Sequence, residues 1–185
     1  MWMFVTGLVV FFALHFATAT PVVRQRLVMM LGENPWKGAV ALGSLAGVVL
    51  ISMGWKFAPS TALFAPSIVA RQLAPVLVTV ALMLFVIGGG NLKGHIRRAL
   101  HHPMLAGVVL WSGTHLLANG GARETILFGA FLVFAIYALC SLLLAGKRTT
   151  FVPHWKWDGI GIGIGLLIAI GVMHSHKWLF GVAVS

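Results

Sequence analysis

The stretch "HHPMLAGVVLWSGTHLLANGG" (residues 101–121) decides how the chain is read. Its apolar run is close to the ~20 residues a helix needs to cross a bilayer. Yet His115 lies inside that run, and His102 opens it directly before Pro103. In lipid an imidazole is costly, and it persists there by pairing, binding or reacting.

Composition places the run in lipid. Of 185 residues, 59% are hydrophobic and 9% charged, and the only acids are Glu33, Glu124 and Asp158; a soluble domain spends about a quarter of its residues on charge. Apolar runs near residues 2–20, 38–57, 72–90, 103–119, 126–145 and 159–179 give six spans with short connections. The expected fold is therefore all-α, a polytopic membrane protein with one domain over 1–185 and a bundle of about six transmembrane helices. An Ala-x-Ala pattern, "ATAT" at 17–20, resembles a signal-peptidase site, but Met1 to Thr20 contains no Lys or Arg. The first run thus reads as a retained helix.

Orientation follows from the basic residues. Arg24, Arg26, Lys37, Lys93, Arg97, Arg98, Lys147, Arg148 and Lys156 flank the odd-numbered connections, against Lys56, Arg71, Arg123 and Lys177 on the other side. The positive-inside bias puts the odd loops in the cytoplasm and both termini in the periplasm, across a cell inner membrane. The net charge of +10 then reflects topology and attraction to anionic headgroups. Nucleic acid is not an expected partner, because the basic groups are spread over three loops with no folded domain behind them. The expected partners are the lipid bilayer and a hydrophobic small molecule or redox protein, and a homo-oligomer is compatible with the chain.

Trp2, Trp36, Trp55, Trp155, Trp157 and Trp178 lie near span ends, where an interfacial belt forms. Trp111 does not. On a helix, Gly107, Trp111, His115 and Asn119 recur every four residues and share a face, with Ser112 beside them.

Other features have structural readings. "GIGIGIG" (159–165) follows no strand, so its i, i+4 glycines suit close helix packing better than dinucleotide binding. "GGG" at 88–90 reads as the end of the third helix, and the lone Cys140 as core. Without a second cysteine there is no intramolecular disulfide, and without C-x-x-C-H no ordinary covalent haem attachment. Three interfacial acids do not supply the carboxylate pair of a hydrolase.

Histidine remains. His95, His101 and His154 fall in basic loops, where solvated roles are expected, and His174 and His176 lie at the outer end of the last span. His15 and His115 sit within spans. Two imidazoles from different helices, apolar walls and basic groups near the interface are what a membrane haem b needs. Zinc would ask for further Cys or carboxylate ligands. By helical rise the two histidines differ in depth by ~5–10 Å.

"HHPMLAGVVLWSGTHLLANGG", "LHFATA" in the first span, "RQRLVMMLGENPWKGAVALGSLAG" from the first loop into the second span and the tail "HKWLFGV" (176–182) resemble the NnrU family of bacterial inner-membrane proteins. That family is associated with nitrite and nitric oxide reduction and is related to the 15-cis-zeta-carotene isomerase of plants and cyanobacteria. The isomerase relative implies haem b with iron held by a histidine of an early span and one in the L-W-x-x-x-H segment, which here are His15 and His115. Trp111, Ser112, Asn119 and His102 are the accompanying cofactor-site candidates. Where the isomerase has a cysteine three residues before the second histidine, this chain has Ser112, a poor iron ligand, so thiolate ligation is not carried over.

The same stretch supports a rival. "HHPMLAG" is similar to the R-H-P-x-Y-x-G signature of membrane isoprenylcysteine and phospholipid methyltransferases, which use S-adenosylmethionine; His101 stands for the Arg and Leu105 for the Tyr. The acidic residues those enzymes place further along are missing after Asp158. A non-catalytic assembly factor for denitrification enzymes is the third reading.

Overall fold

A computed structural model describes residues 1–181, and all of its regular elements are helices. They are α1 (Trp2–Ala19), α2 (Pro21–Leu31), α3 (Glu33–Trp55), α4 (Ile68–Gly89), α5 (His95–Leu100), α6 (Pro103–Ala118), α7 (Ala122–Leu144) and α8 (Trp155–Phe180). The chain is an all-α polytopic membrane protein. α1, α3, α4, α7 and α8 are long and apolar enough to cross a bilayer, and α6 is a shorter apolar helix of 16 residues.

Local chemistry sets the breaks. Thr20 is extended ahead of Pro21, which has no N–H and forbids a helical neighbour before it, so α1 stops and α2 starts. Gly32 takes φ +88°, a conformation closed to most side chains, and separates α2 from α3. Ser67 caps α4, its Oγ accepting from the Ala70 amide at 3.2 Å. The triple glycine ends α4, with Gly90 as its C-cap.

The helices pack in the order α3, α1, α7, α6, α4, α8, with α1 against α3 and α4 against α6 as the closest pairs. Glycine makes both pairs. A Cβ on Gly54 would lie 2.3 Å from the Phe4 amide nitrogen, and one on Gly107 would lie 2.8 Å from the Ala81 carbonyl oxygen. Gly161 and Gly165 meet Ile87 and Met83 of α4 in the same way, so the glycine run of α8 is a packing stripe. Large side chains such as Leu42, Leu45 and Leu167 point outward, as expected where the solvent is hydrocarbon.

α6 is the inner helix, between α4 and α7. Its C-terminal end is lapped by the start of α4, where the amide of the cap residue Ser67 donates to Leu117 O and Arg71 Nε to Ala118 O. These two bonds give partners to the Leu117 and Ala118 carbonyls at the end of a helix of ~24 Å.

Two sequence expectations are corrected. Trp36 is buried (5% exposed) and not part of an interfacial belt, because it turns inward from the first turn of α3. Cys140 is exposed on α7 and faces lipid, not core. α2 and α5, short helices rich in Arg on the basic side, have no counterpart in the six-span reading.

Candidate functional site

The α1/α3 pair meets the rest of the bundle mainly through α7, and that contact is thin. Phenylalanine fills it. Phe12 packs edge-on against Phe131 (centroids 5.0 Å) and Phe16 against Phe134 (5.3 Å). Polar ties hold only the ends of this seam. On the basic side Ser141 Oγ donates to Ala19 O at 3.0 Å and Thr20 pairs with Tyr137; on the other side Arg123 donates to Trp55 O at 3.1 Å.

A cleft of about 240 Å³ opens along the seam. It is lined from α1 by Phe11 and His15, from α4 by Phe85, from α6 by Met104, and from α7 by Phe131 and Phe134; the other two lining residues are aliphatic. His15 Nδ1 is 2.8 Å from Phe11 O, four residues back in its own helix. A carbonyl only accepts, so Nδ1 carries the proton in the neutral ring and Nε2 keeps its lone pair. The ring stacks on Phe11 at 4.0 Å and meets Phe134 edge-on at 5.7 Å.

His115 has the same local chemistry in a different place. Its Nδ1 donates to Trp111 O at 2.9 Å, and its ring lies against Phe128 at 4.6 Å and Trp111 at 5.3 Å. It does not line the cleft. Phe128 and Phe134, the α7 partners of His115 and His15, are six residues apart, which is ~9 Å along the axis. The rings of Trp111, Phe131 and Phe11 run between the two histidines in successive contacts of 5.3 Å and 5.6 Å. The structure does not bring His15 and His115 together.

The remaining candidates have structural partners. Ser112 is fully buried and returns its hydroxyl to Val108 O at 2.6 Å. Asn119 caps α6, its Nδ2 donating to His115 O at 2.8 Å. Gly107 faces α4, so the face read as one stripe is divided between α4 and α7. His102 donates from Nε2 to Lys147 O at 2.9 Å, and His101, at φ +57°, pairs with Thr149. The two histidines pin the loop after α7 to the start of α6, and buried Pro103 supplies the first turn of that helix. His95 is tied down as well. It stacks on Trp155 at 3.8 Å, and Asp158, buried in α8, accepts from its amide (2.7 Å), its ring (3.1 Å) and the Ile96 amide (3.0 Å). Among the described residues no three His, Cys, Asp or Glu side chains converge as a metal site would require.

Sequence reasoning did not single out Met104, Phe11 or Phe131. A methionine or phenylalanine within an apolar span carries no signal of its own; only the fold shows which of them share a cleft with an imidazole.

Compared with known proteins, the chain matches no curated protein and no solved structure. It does match a family model, described as NnrU protein, over residues 3–184. With nearly its whole length inside that match, the chain belongs to the NnrU family.

Proposed function

We propose that this protein binds haem b in the cleft beside His15 and serves a redox role in the inner membrane, with the basic face cytoplasmic and both termini periplasmic. The observation that carries the reading is the state of His15. A ligating histidine ordinarily donates its other ring N–H to a carbonyl or carboxylate, which fixes the tautomer and raises ligand basicity. The Phe11 carbonyl does this for His15, and the free Nε2 belongs to a ring that lines an otherwise apolar cleft.

The surroundings suit the group. Phe11, Phe131 and Phe134 offer flat apolar walls that exclude water. His15 lies just before the last turn of α1 and Met104 in the first turn of α6, near the face that carries nine of the thirteen basic residues, where the two propionates would find partners. The cleft is smaller than the roughly 300–1,000 Å³ of small-molecule sites. It lies on the α1/α7 seam, which would have to widen to take the macrocycle. When bound, haem b supplies one-electron transfer at iron. His15 would hold it.

His15 and His115 touch α7 at Phe134 and Phe128, which are ~9 Å apart along that helix, and the rings of Trp111, Phe131 and Phe11 run in successive contacts from one histidine to the other, so the proposal rests on His15. The link to nitrite and nitric oxide chemistry is the part of the reading that rests on the family resemblance alone.

The test is the absorption spectrum of protein purified in mild detergent from cells with ample iron and haem supply. A Soret band with sharp reduced α and β bands is expected. His15→Ala should lose it, and His115→Ala should retain it. A colourless wild-type protein would overturn the proposal.

A further inference from the structure

We infer that α2 docks on the lipid leaflet at the basic side, its apolar outer face against the acyl chains and Arg26 on the phosphate of an anionic phospholipid. The inference does not depend on the haem reading. α2 lies against α1 and α3 and buries no residue. Its level follows from the register of that pair. A Cβ on Gly54 would stand 2.7 Å from the Phe4 Cα, and one on Gly47 would stand 3.1 Å from the Phe11 Cα. In this antiparallel register Ala19, the end of α1, is level with Ala39, and from Ala39 back to Glu33 α3 runs on for ~9 Å. α2 turns aside at Thr20 into that layer, which already holds the charges of Glu33 and Lys37 and so belongs to the headgroup region.

Val22, Arg26 and Met29 recur at i, i+4 and i+7, and Val23 and Met30 flank the arginine, so the five share one helix face. All five are exposed, Met29 at 70% and Met30 at 80%, while Leu27 and Val28 behind them are half-buried. Four apolar side chains around one guanidinium suit neither water nor a second copy of the chain. A two-fold contact through this face would set Arg26 against its own copy. The chain has no acid left to separate the two: Glu33 pairs with Arg24 at 2.8 Å and Lys37 at 3.2 Å, Asp158 with His95, and Glu124 with Arg123. Among the described residues Arg26 has no ion pair, so its counter-charge comes from outside the chain. A phospholipid meets both needs. Its acyl chains cover the valines and methionines, the arginine stem lies along them, and the guanidinium reaches a phosphate that it can hold with two hydrogen bonds.

The experiment uses the full-length protein with Cys140→Ser, which removes its only cysteine, and a nitroxide on Met29→Cys or Met30→Cys. It is reconstituted in vesicles of phosphatidylcholine, alone or mixed with phosphatidylglycerol. Power saturation of the electron paramagnetic resonance signal compares collisions with oxygen, which concentrates in lipid, and with a water-soluble nickel chelate. In the mixed vesicles oxygen should dominate at both positions, with an oxygen-to-nickel ratio severalfold above that in phosphatidylcholine alone. Arg26→Gln should bring the ratio down to the phosphatidylcholine value, and Arg26→Lys should keep part of the rise. Lys156→Gln, on α8 at the far end of the packing order, should change nothing. Nickel dominating at both positions would put the face in water and overturn the inference. Short distances between labels on two copies, read by pulsed dipolar spectroscopy, would overturn it in favour of a dimer. A ratio that does not respond to phosphatidylglycerol would overturn the role of Arg26. The comparison of the two lipid mixtures decides the matter even if Arg26→Gln folds poorly.

Discussion

Gly165 of α8 lies directly on Met83 of α4: a Cβ built on the glycine would come within 2.5 Å of the methionine Cα. Two residues earlier, Gly163 has nothing within 4 Å of the same position. The alternating glycines of this helix thus divide into a sealed row and an open row, and the two should respond to mutation with opposite sign.

Gly165→Ala forces backbone apart and should destabilise the bundle by about 1–3 kcal/mol. Gly163→Ala adds a helix former where there is room, and should be neutral or stabilising by up to about 1 kcal/mol. Thermal denaturation of the two variants in detergent checks the pair, and equal shifts would contradict the α4/α8 packing.

Arg123 closes the end of the seam away from the basic side. Its guanidinium lies 4.5 Å over the Trp55 ring, donates to Trp55 O, and pairs through Nε with Glu124 Oε1 at 2.9 Å. Arg123→Ala should cost about 1.5–3 kcal/mol, the range for hydrogen bonds to charged groups. Arg123→Lys keeps the charge but loses the planar fork, so it should recover only part of the loss. Melting temperature, together with protease sensitivity of residues 56–66, measures both.

Asp158 closes the basic end of α8. Its two oxygens receive two backbone amides and the His95 ring. In Asp158→Asn one oxygen becomes an NH2 group that faces a donor, so we expect a loss of about 1–3 kcal/mol, concentrated at α5. Faster proteolysis within residues 91–101 in membranes with the basic face outward would register it, and an unchanged cleavage rate would contradict the clamp.

The proposed orientation makes a further prediction. Reporter fusions after residues 30, 95 or 150 should report cytoplasm, and fusions after 65 or 122 the periplasm, because nine basic residues flank the first set of connections and four the second. Two inverted reporters would defeat it.

The membrane class was legible because hydropathy is additive along the chain: runs such as 126–145 announce α7 without help from any other residue. The inward face was not legible in the same way. In hydrocarbon the interior is marked by small residues and not by apolar ones, so Cys140 could be placed on either side, and it proves to face lipid. α2 and α5 were hidden because they are short and charged, and their order comes from contacts such as Arg24 with Glu33 (2.8 Å) and Asp158 with the α5 amides. Within the candidate site, His15 and His115 stood out as intramembrane imidazoles. Their separation did not, because periodicity gives each residue an angle on its own helix but no depth relative to another helix. That Met104 shares a cleft with His15 is a long-range fact of packing, since the two residues lie on α6 and α1.

The shortness of α6 has an electrical side. α3 and α8 run for ~35 Å and ~39 Å, whereas α6 covers ~24 Å between the polar loops that close its ends. Where water enters those loops, a transmembrane voltage would drop over a shorter path along α6 than through the lipid around it. One elementary charge moved through the whole drop corresponds to about 2.3 kcal/mol per 100 mV, and a shorter path places more of that per ångström. A charge shifted beside Met104, in the first turn of this helix, would feel the membrane potential more steeply than one shifted the same distance along α3.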